Sequence, residues 1–222
     1  MTVDDWSAQD NRKYKYGLNS KLHRAEYSPI ENWIPQRSKV IDFGCGDGSL
    51  LKLLEAQKKV SSLGYEISDS GVQACRSKNL SAVCDRIDVL HPELEYKSFD
   101  YAICNVTIQM VEFPEILISE MARVAAHQVI SFPNFAYYKN RLDMLIQGRM
   151  PQPMMFGYEW FSTGHIHQLS IRDFRDFIKK NTNLKIRDET HIGSNTFGIN
   201  FLRESFPNLF SSISIFLLSE DL

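Results

Sequence analysis

Residues 39–48 read KVIDFGCGDG, a short apolar run that ends in Asp42-Phe43-Gly44-Cys45-Gly46-Asp47-Gly48. An apolar run of this length closed by glycines fits a strand buried on both faces. From Ser49 the chain places leucines at 50, 51, 53 and 54, so the unit is strand, glycine turn, helix. Glycine in such a turn permits positive φ and lets a ligand approach the backbone at the carboxyl end of the strand. The amides that open the next helix suit a carboxylate or a phosphate.

Outward from this unit the alternation continues. Strands are predicted over 62–67, 82–84, 99–104 and 128–132, with helices over 24–34, 49–56, 69–78 and 113–123. Pro29 and Pro114 fall in first helical turns, where proline is tolerated. Ser170-Ile171-Arg172-Asp173 reads as a capping box opening a helix to about residue 180. Strands near 184–191 and 212–218 close the sheet as a late, hairpin-like pair. The pattern predicts an α/β fold: a doubly wound, mostly parallel, Rossmann-like seven-stranded sheet with a helical insert after the fifth strand. Residues 1–25 read as a lead-in or lid, and 26–222 as a single domain. Within it, 133–168 lies on the substrate side, where such folds carry their specific parts.

Composition narrows the function. The 222 residues carry 25 Lys+Arg against 27 Asp+Glu, a net charge of −2, which argues against a basic face for nucleic acid. Tyr14 and Tyr16 among Arg12, Lys13 and Lys15 make a poor single-strand platform on that background. The hydrophobic share of 43% is ordinary for a globular chain. Cysteines 45, 75, 84 and 104 form no CxxC and read as reduced thiols of a cytoplasmic protein. Met1–Asp10 is polar and acidic, unlike a secretory leader. The apolar stretch Ile199–Leu218 is broken by Arg203, Glu204 and Pro207, so no membrane partner is expected.

The turn is GxGxG, whereas the dinucleotide fingerprint GxGxxG needs glycine where Ser49 stands. Asp42 precedes the first glycine by two, and Glu66 lies 18 residues beyond Gly48, near the end of the second strand. An acid there can accept both hydroxyls of a ribose, which points to a nucleoside-type cofactor. An NAD-dependent oxidoreductase is disfavoured by the glycine spacing and by the lack of a Tyr-x-x-x-Lys pair.

The D-x-G-x-G-x-G form resembles motif I of class I S-adenosylmethionine-dependent methyltransferases. Residues 31–54 (ENWIPQRSKVIDFGCGDGSLLKLL), 128–151 (QVISFPNFAYYKNRLDMLIQGRMP) and 158–174 (YEWFSTGHIHQLSIRDF) are further similar to the MetW branch of that group. The SFPN, GRMP, YEW and IRDF strings carry more of this resemblance than the glycine turn, and it covers roughly 27–218. It implies S-adenosylmethionine as cofactor, S-adenosylhomocysteine as product, and a site of Asp42, Gly44, Cys45, Gly46, Gly48, Glu66 and Ile67. Asp85 matches the adenine-edge acid loosely, with Asp88 as a rival, and Asn105 falls where such enzymes place residues near the reactive methyl. MetW-like chains are also linked to homoserine acylation, which implies a homoserine O-acyltransferase as partner.

Methyl transfer from a sulfonium is an in-line displacement that rests mostly on alignment, which is worth about 7–11 kcal/mol of barrier. A base matters when the acceptor is a hydroxyl or a protonated amine, and His167, His165 and Glu159 are the candidates in the insert. The plainer role for such a histidine is to fix a loop by hydrogen bonds. His165-x-His167 has no third ligand at useful spacing, so no metal is expected. Arg141 and Arg149 flank a predicted helix and could clamp an anionic acceptor or line a solvated face. Tyr137, Tyr138, Phe156, Tyr158 and Trp160 could wall the substrate or pack the insert's own core. Two readings remain: a methyltransferase of a small hydroxylated or anionic metabolite or sugar precursor, and a non-catalytic subunit of the acyltransferase. An exposed apolar patch on the insert favours the second.

Overall fold

In the first strand, β1 (Lys39–Phe43), every residue but Lys39 is buried, as a strand covered on both faces must be. The computed structural model describes residues 24–151, 164–193 and 199–221. Around β1 the chain alternates α2 (Ser49–Lys58), β2 (Ser61–Glu66), α3 (Asp69–Ser77), β3 (Ala82–Cys84), β4 (Phe99–Asn105), α4 (Pro114–Val124) and β5 (Ala125–Pro133). These five strands are parallel. Helix α1 (Tyr27–Trp33) precedes them, and α5 (Tyr138–Gln147), α6 (Ile171–Asn181), β6 (Leu184–Ile192), α7 (Ile199–Ser205), α8 (Pro207–Phe210) and β7 (Ile213–Glu220) follow.

The sheet order is β3-β2-β1-β4-β5-β7-β6, with β7 antiparallel to both β5 and β6. This is the doubly wound, seven-stranded sheet that the sequence predicts. Strand alternation divides the core into two layers. Ile41 and Phe43 of β1 pack with Leu117 and Met121 of α4 and Phe174 of α6 on one face. Val40 packs with Ile30 of α1 and Ile34 at its end, and with Leu51 and Leu54 of α2, on the other. The capping box forms as read: Ser170 Oγ accepts from the Asp173 amide, and the Asp173 carboxylate accepts from the Ser170 amide.

Three expectations need correction. The late strands do close the sheet as an antiparallel pair, but α7 and α8 connect β6 to β7 in place of a tight turn. Strand β5 begins at Ala125 rather than 128, since α4 passes straight into it with no glycine or proline to mark a boundary. Arg141 does not flank the insert helix but lies inside the first turn of α5, while Arg149 follows its Gly148 cap. The lead-in up to residue 23 lies outside the described residues.

The strand order reverses between β1 and β4. Ligands of open α/β sheets bind at the carboxyl ends of the strands beside such a switch point. The loops after β1 and β4 meet there.

Candidate functional site

The glycine turn is held from several sides. The amides of Gly44 and Cys45 both donate to the Tyr65 carbonyl, at 2.8 and 3.0 Å. Gly44, at φ +85°, lies so close to the β4 loop that an added Cβ would stand 2.5 Å from Thr107 Cγ2. Gly46, at φ +57°, differs: an added Cβ would meet nothing within 4 Å. Tight packing therefore explains the first glycine, while the middle one borders open space. Asp47 anchors the end of the turn through Lys78 Nζ at 2.7 Å and Ser49 Oγ at 2.8 Å.

Two buried acids flank this space. Glu66 Oε2 accepts from the Gly46 amide at 2.9 Å, and Oε1 from the Ser68 amide at 3.0 Å. Asp42 is 2% exposed, and its Oδ1 has no hydrogen-bond partner among the described residues. Burial, then the charge of Glu66, push its pKa up to about 7, against an opposing pull from Arg24. Arg24 and Tyr27 are close enough to exchange charge effects with Asp42, so the chain enters α1 beside the turn. An ammonium or hydroxyl donor would satisfy the Asp42 oxygen.

The remaining cofactor-side residues sort by their bonds. Asp88 is saturated: it accepts from Arg86 Nε and an Arg86 terminal nitrogen at 3.0 Å, and from the amides of Glu112 and Phe113 at 2.9 and 3.1 Å. Burial acts to raise its pKa, yet these donors leave it below the ordinary carboxylate range. Asp85 stands exposed just past β3, its Oδ1 taking the adjacent Arg86 amide and no other donor among the described residues. Of the two rivals, Asp85 has the open carboxylate. Ile67 is half-buried between Glu66 and Ser68. Asn105 closes β4, with its Oδ1 accepting from Ser131 Oγ at 2.6 Å.

Next to Asn105, Val106 has φ +59°, a left-handed conformation that is an outlier for a β-branched residue. It is held by its amide, which donates to the carbonyl and Oγ of Ser131 at 3.1 and 3.0 Å. The sequence carries no signal for it. It turns the chain so that Thr107 Oγ1 donates to the Asn105 carbonyl at 3.1 Å and packs over Gly44.

On the acceptor side, His165 is buried and its ring lies 6.5 Å from that of Phe135. His167 is exposed, so the two do not share a face as a strand pair would. The amides of Ile166 and His167 both donate to the Gln109 carbonyl, at 2.9 and 3.1 Å, which ties this segment to the β4 loop. No sequence motif marks Gln109. Its side chain is 1% exposed, and neither amide atom has a partner among the described residues. Arg141 is exposed and donates from Nε to the Ala136 carbonyl at 2.6 Å, and Arg149 is exposed. Tyr137 is buried against Tyr138, with rings 4.8 Å apart, as core packing of the insert requires. Glu159, Tyr158, Trp160 and Phe156 lie outside the described residues. Among the described residues, no group of three or more His, Cys, Asp or Glu is placed to hold a metal. No described helix is long and apolar enough to cross a membrane.

Residues 24–218 match the family model for methionine biosynthesis protein MetW. The chain belongs to the MetW family. A bifunctional methionine biosynthesis protein MetXA/MetW from Rhodopirellula baltica is 35% identical over 156 residues, 65% of this chain. The match spans only a quarter (25%) of that relative's length. Among solved structures, a SAM-dependent methyltransferase from Thermotoga maritima, described as a possible histamine N-methyltransferase, superposes with a TM-score of 0.62. It is 13% identical and covers 88% of each chain. Magnesium protoporphyrin IX methyltransferase from Synechocystis, solved with bound S-adenosylhomocysteine, gives 0.62 at 19% identity, over 88% of this chain and 82% of its own. At these identities the structures show the shared fold, that of the class I methyltransferases.

Proposed function

We propose that the chain binds S-adenosylmethionine at Asp42–Gly48 and Glu66 and methylates a small hydroxylated or anionic metabolite in the cytoplasm. The observation that carries this reading is the pair of buried acids beside the open face of Gly46. Glu66 grips the Gly46 amide at the edge of that space, Asp42 Oδ1 has no donor among the described residues and an ammonium group would supply one, and Asp85 offers an exposed acid for the adenine edge. These residues fit an adenosyl amino acid. When bound, that cofactor supplies an electrophilic methyl on a sulfonium, and the protein's part is alignment and exclusion of water. The acceptor lies toward the insert, where Gln109 presents a buried amide that can both donate and accept. His165 is the inward-facing candidate base and His167 holds its segment to Gln109 through the backbone. Arg141 and Arg149, both exposed, suit an anionic acceptor that reaches the surface. The test uses methyl-labelled S-adenosylmethionine with a panel of small hydroxy and carboxy metabolites. Label must appear in at least one of them, and binding without any transfer would reject the catalytic reading.

A second reading has its own observation. The insert helix α5 exposes Leu142, Met144, Leu145 and Ile146 at 45%, 54%, 82% and 76%, and Met150 just beyond is 42% exposed. Exposed apolar faces of this kind mark interaction sites. The fused relative joins a MetW part to a MetXA part in one protein. Both support an accessory subunit whose α5 face docks on a homoserine O-acyltransferase. Mixing the two proteins must then give a complex with altered acyltransferase turnover.

A further inference from the structure

Cys45, within the glycine turn, and Cys75, on α3, bring their sulfurs to 3.7 Å although 30 positions separate them. Cys75 Sγ donates to the Gly46 carbonyl at 3.4 Å, so Cys45 is the donor between the two thiols. The result is a short chain of hydrogen bonds that ends on the turn. Cys75 is fully buried and Cys45 is 8% exposed. Both are fixed by packing: a Cβ at Gly48 would lie 2.8 Å from Cys75 Sγ, and one at Gly64 would lie 2.5 Å from Cys45 Sγ. The bond from Cys45 holds the Cys75 thiol below its ordinary pKa, while the same bond, then burial, push Cys45 up. The thiolate is the reactive form of either sulfur.

We propose that Cys45 and Cys75 form an oxidation site in which a small peroxide makes a reversible disulfide that reshapes the glycine turn. The thiolate of one cysteine of the pair attacks one peroxide oxygen; an S–O bond forms, the O–O bond breaks, and the departing hydroxide takes a proton to become water. The other sulfur then attacks the resulting sulfenic acid. An S–S bond forms, the S–O bond breaks, and the oxygen leaves as a second water with the proton of that second thiol. Two thiols lose two electrons and one peroxide gains them.

The geometry sets the consequence. The sulfurs must close from 3.7 Å to about 2.05 Å. Cys75 then has no proton to donate to the Gly46 carbonyl, and Cys45 is drawn toward α3. Gly46, next in the chain, has its amide on Glu66. Oxidation therefore strains the contact between the turn and the acid proposed to hold the ribose. The disulfide stands independently of the cofactor reading, while its effect on binding rests on that reading.

The test treats the full chain with hydrogen peroxide, maps its thiols by alkylation and mass spectrometry, and measures S-adenosylhomocysteine affinity before oxidation, after it and after dithiothreitol. The expected result is a Cys45–Cys75 cross-linked peptide, affinity reduced at least tenfold, and recovery on reduction. Cys75→Ser should bind like the untreated protein and keep its affinity in peroxide; the wild-type map and its reversal decide the matter if that variant does not fold. Cys45 and Cys75 remaining alkylatable while the exposed Cys84 oxidises would overturn the proposal, as would a 45–75 disulfide with unchanged affinity. Failure of the reduced protein to bind overturns the cofactor reading and the effect on binding, and the thiol map still judges the disulfide.

Discussion

The Gly46 amide donates to Glu66 Oε2 across 2.9 Å, so the acid that ends β2 holds in shape the turn that follows β1. One carboxylate thus serves the loop and, in the proposed reading, the ligand. Glu66→Ala should weaken S-adenosylhomocysteine binding by about 1–3 kcal/mol, because buried donors lose their acceptor. Equilibrium titration of the folded variant checks this, and unchanged affinity would place the ribose elsewhere.

Asp42 ties affinity and stability to pH in opposite directions. Its pKa rises from 3.8 to about 7 on folding, so the folded state keeps a proton that the unfolded chain has lost between these values. The stabilising contribution of that proton is complete below about pH 4 and is lost as pH rises through about 7. Asp42→Asn should therefore be more stable than wild type at pH 8, by at most about 4 kcal/mol. If Asp42 receives the cofactor's ammonium, wild-type affinity rises several-fold from pH 6 to 8 and the variant's stays flat. Denaturant melts and titrations at both pH values report on each half.

The two glycines separate packing from binding. Gly44→Ala puts a methyl 2.5 Å from Thr107 at φ +85°, and should destabilise the fold by about 1–3 kcal/mol. Gly46→Ala meets no atom within 4 Å, so its cost is the backbone strain at φ +57°, about 1 kcal/mol, while its methyl occupies the proposed cofactor space. Calorimetric melts should show the larger loss for Gly44→Ala, and titration should show the larger specific loss of affinity for Gly46→Ala.

The strand, turn and helix from Lys39 to Lys58 were legible because a local apolar period and glycine punctuation encode them. Even the three-residue β3 was readable from its spacing. The features that finish the site are contacts between distant positions, which leave no period. Asn105 meets Ser131, Cys45 meets Cys75, and Gln109 holds residues 166 and 167. Val106 breaks the local rule for its residue type and is maintained by tertiary bonds alone. Helix α8 did leave a cue in Pro207 at its first turn, which the surrounding apolar run obscured.

Among the described residues the buried Gln109 amide has no partner, and an unsatisfied buried amide costs stability. Gln109→Leu should raise stability by about 1 kcal/mol while leaving cofactor affinity alone. A loss of stability above about 1 kcal/mol in a melt would mean that the fold itself satisfies the amide.

Leu145, at 82% exposure, offers a clean test of the docking face. Leu145→Glu should change stability by less than about 0.5 kcal/mol, as exposed substitutions do. In the accessory reading it should also abolish the complex with a homoserine O-acyltransferase, measured by sedimentation. Retention of the complex would move the interface away from α5.

The central claim is that the turn Asp42–Gly48 with Glu66 takes an adenosyl amino acid. Calorimetric titration of the purified chain with S-adenosylmethionine, S-adenosylhomocysteine and NAD tests it most directly. Saturable one-site binding of both adenosyl compounds, with no heat from NAD, is the predicted result. Binding of NAD, or no binding of any of the three, would contradict the account.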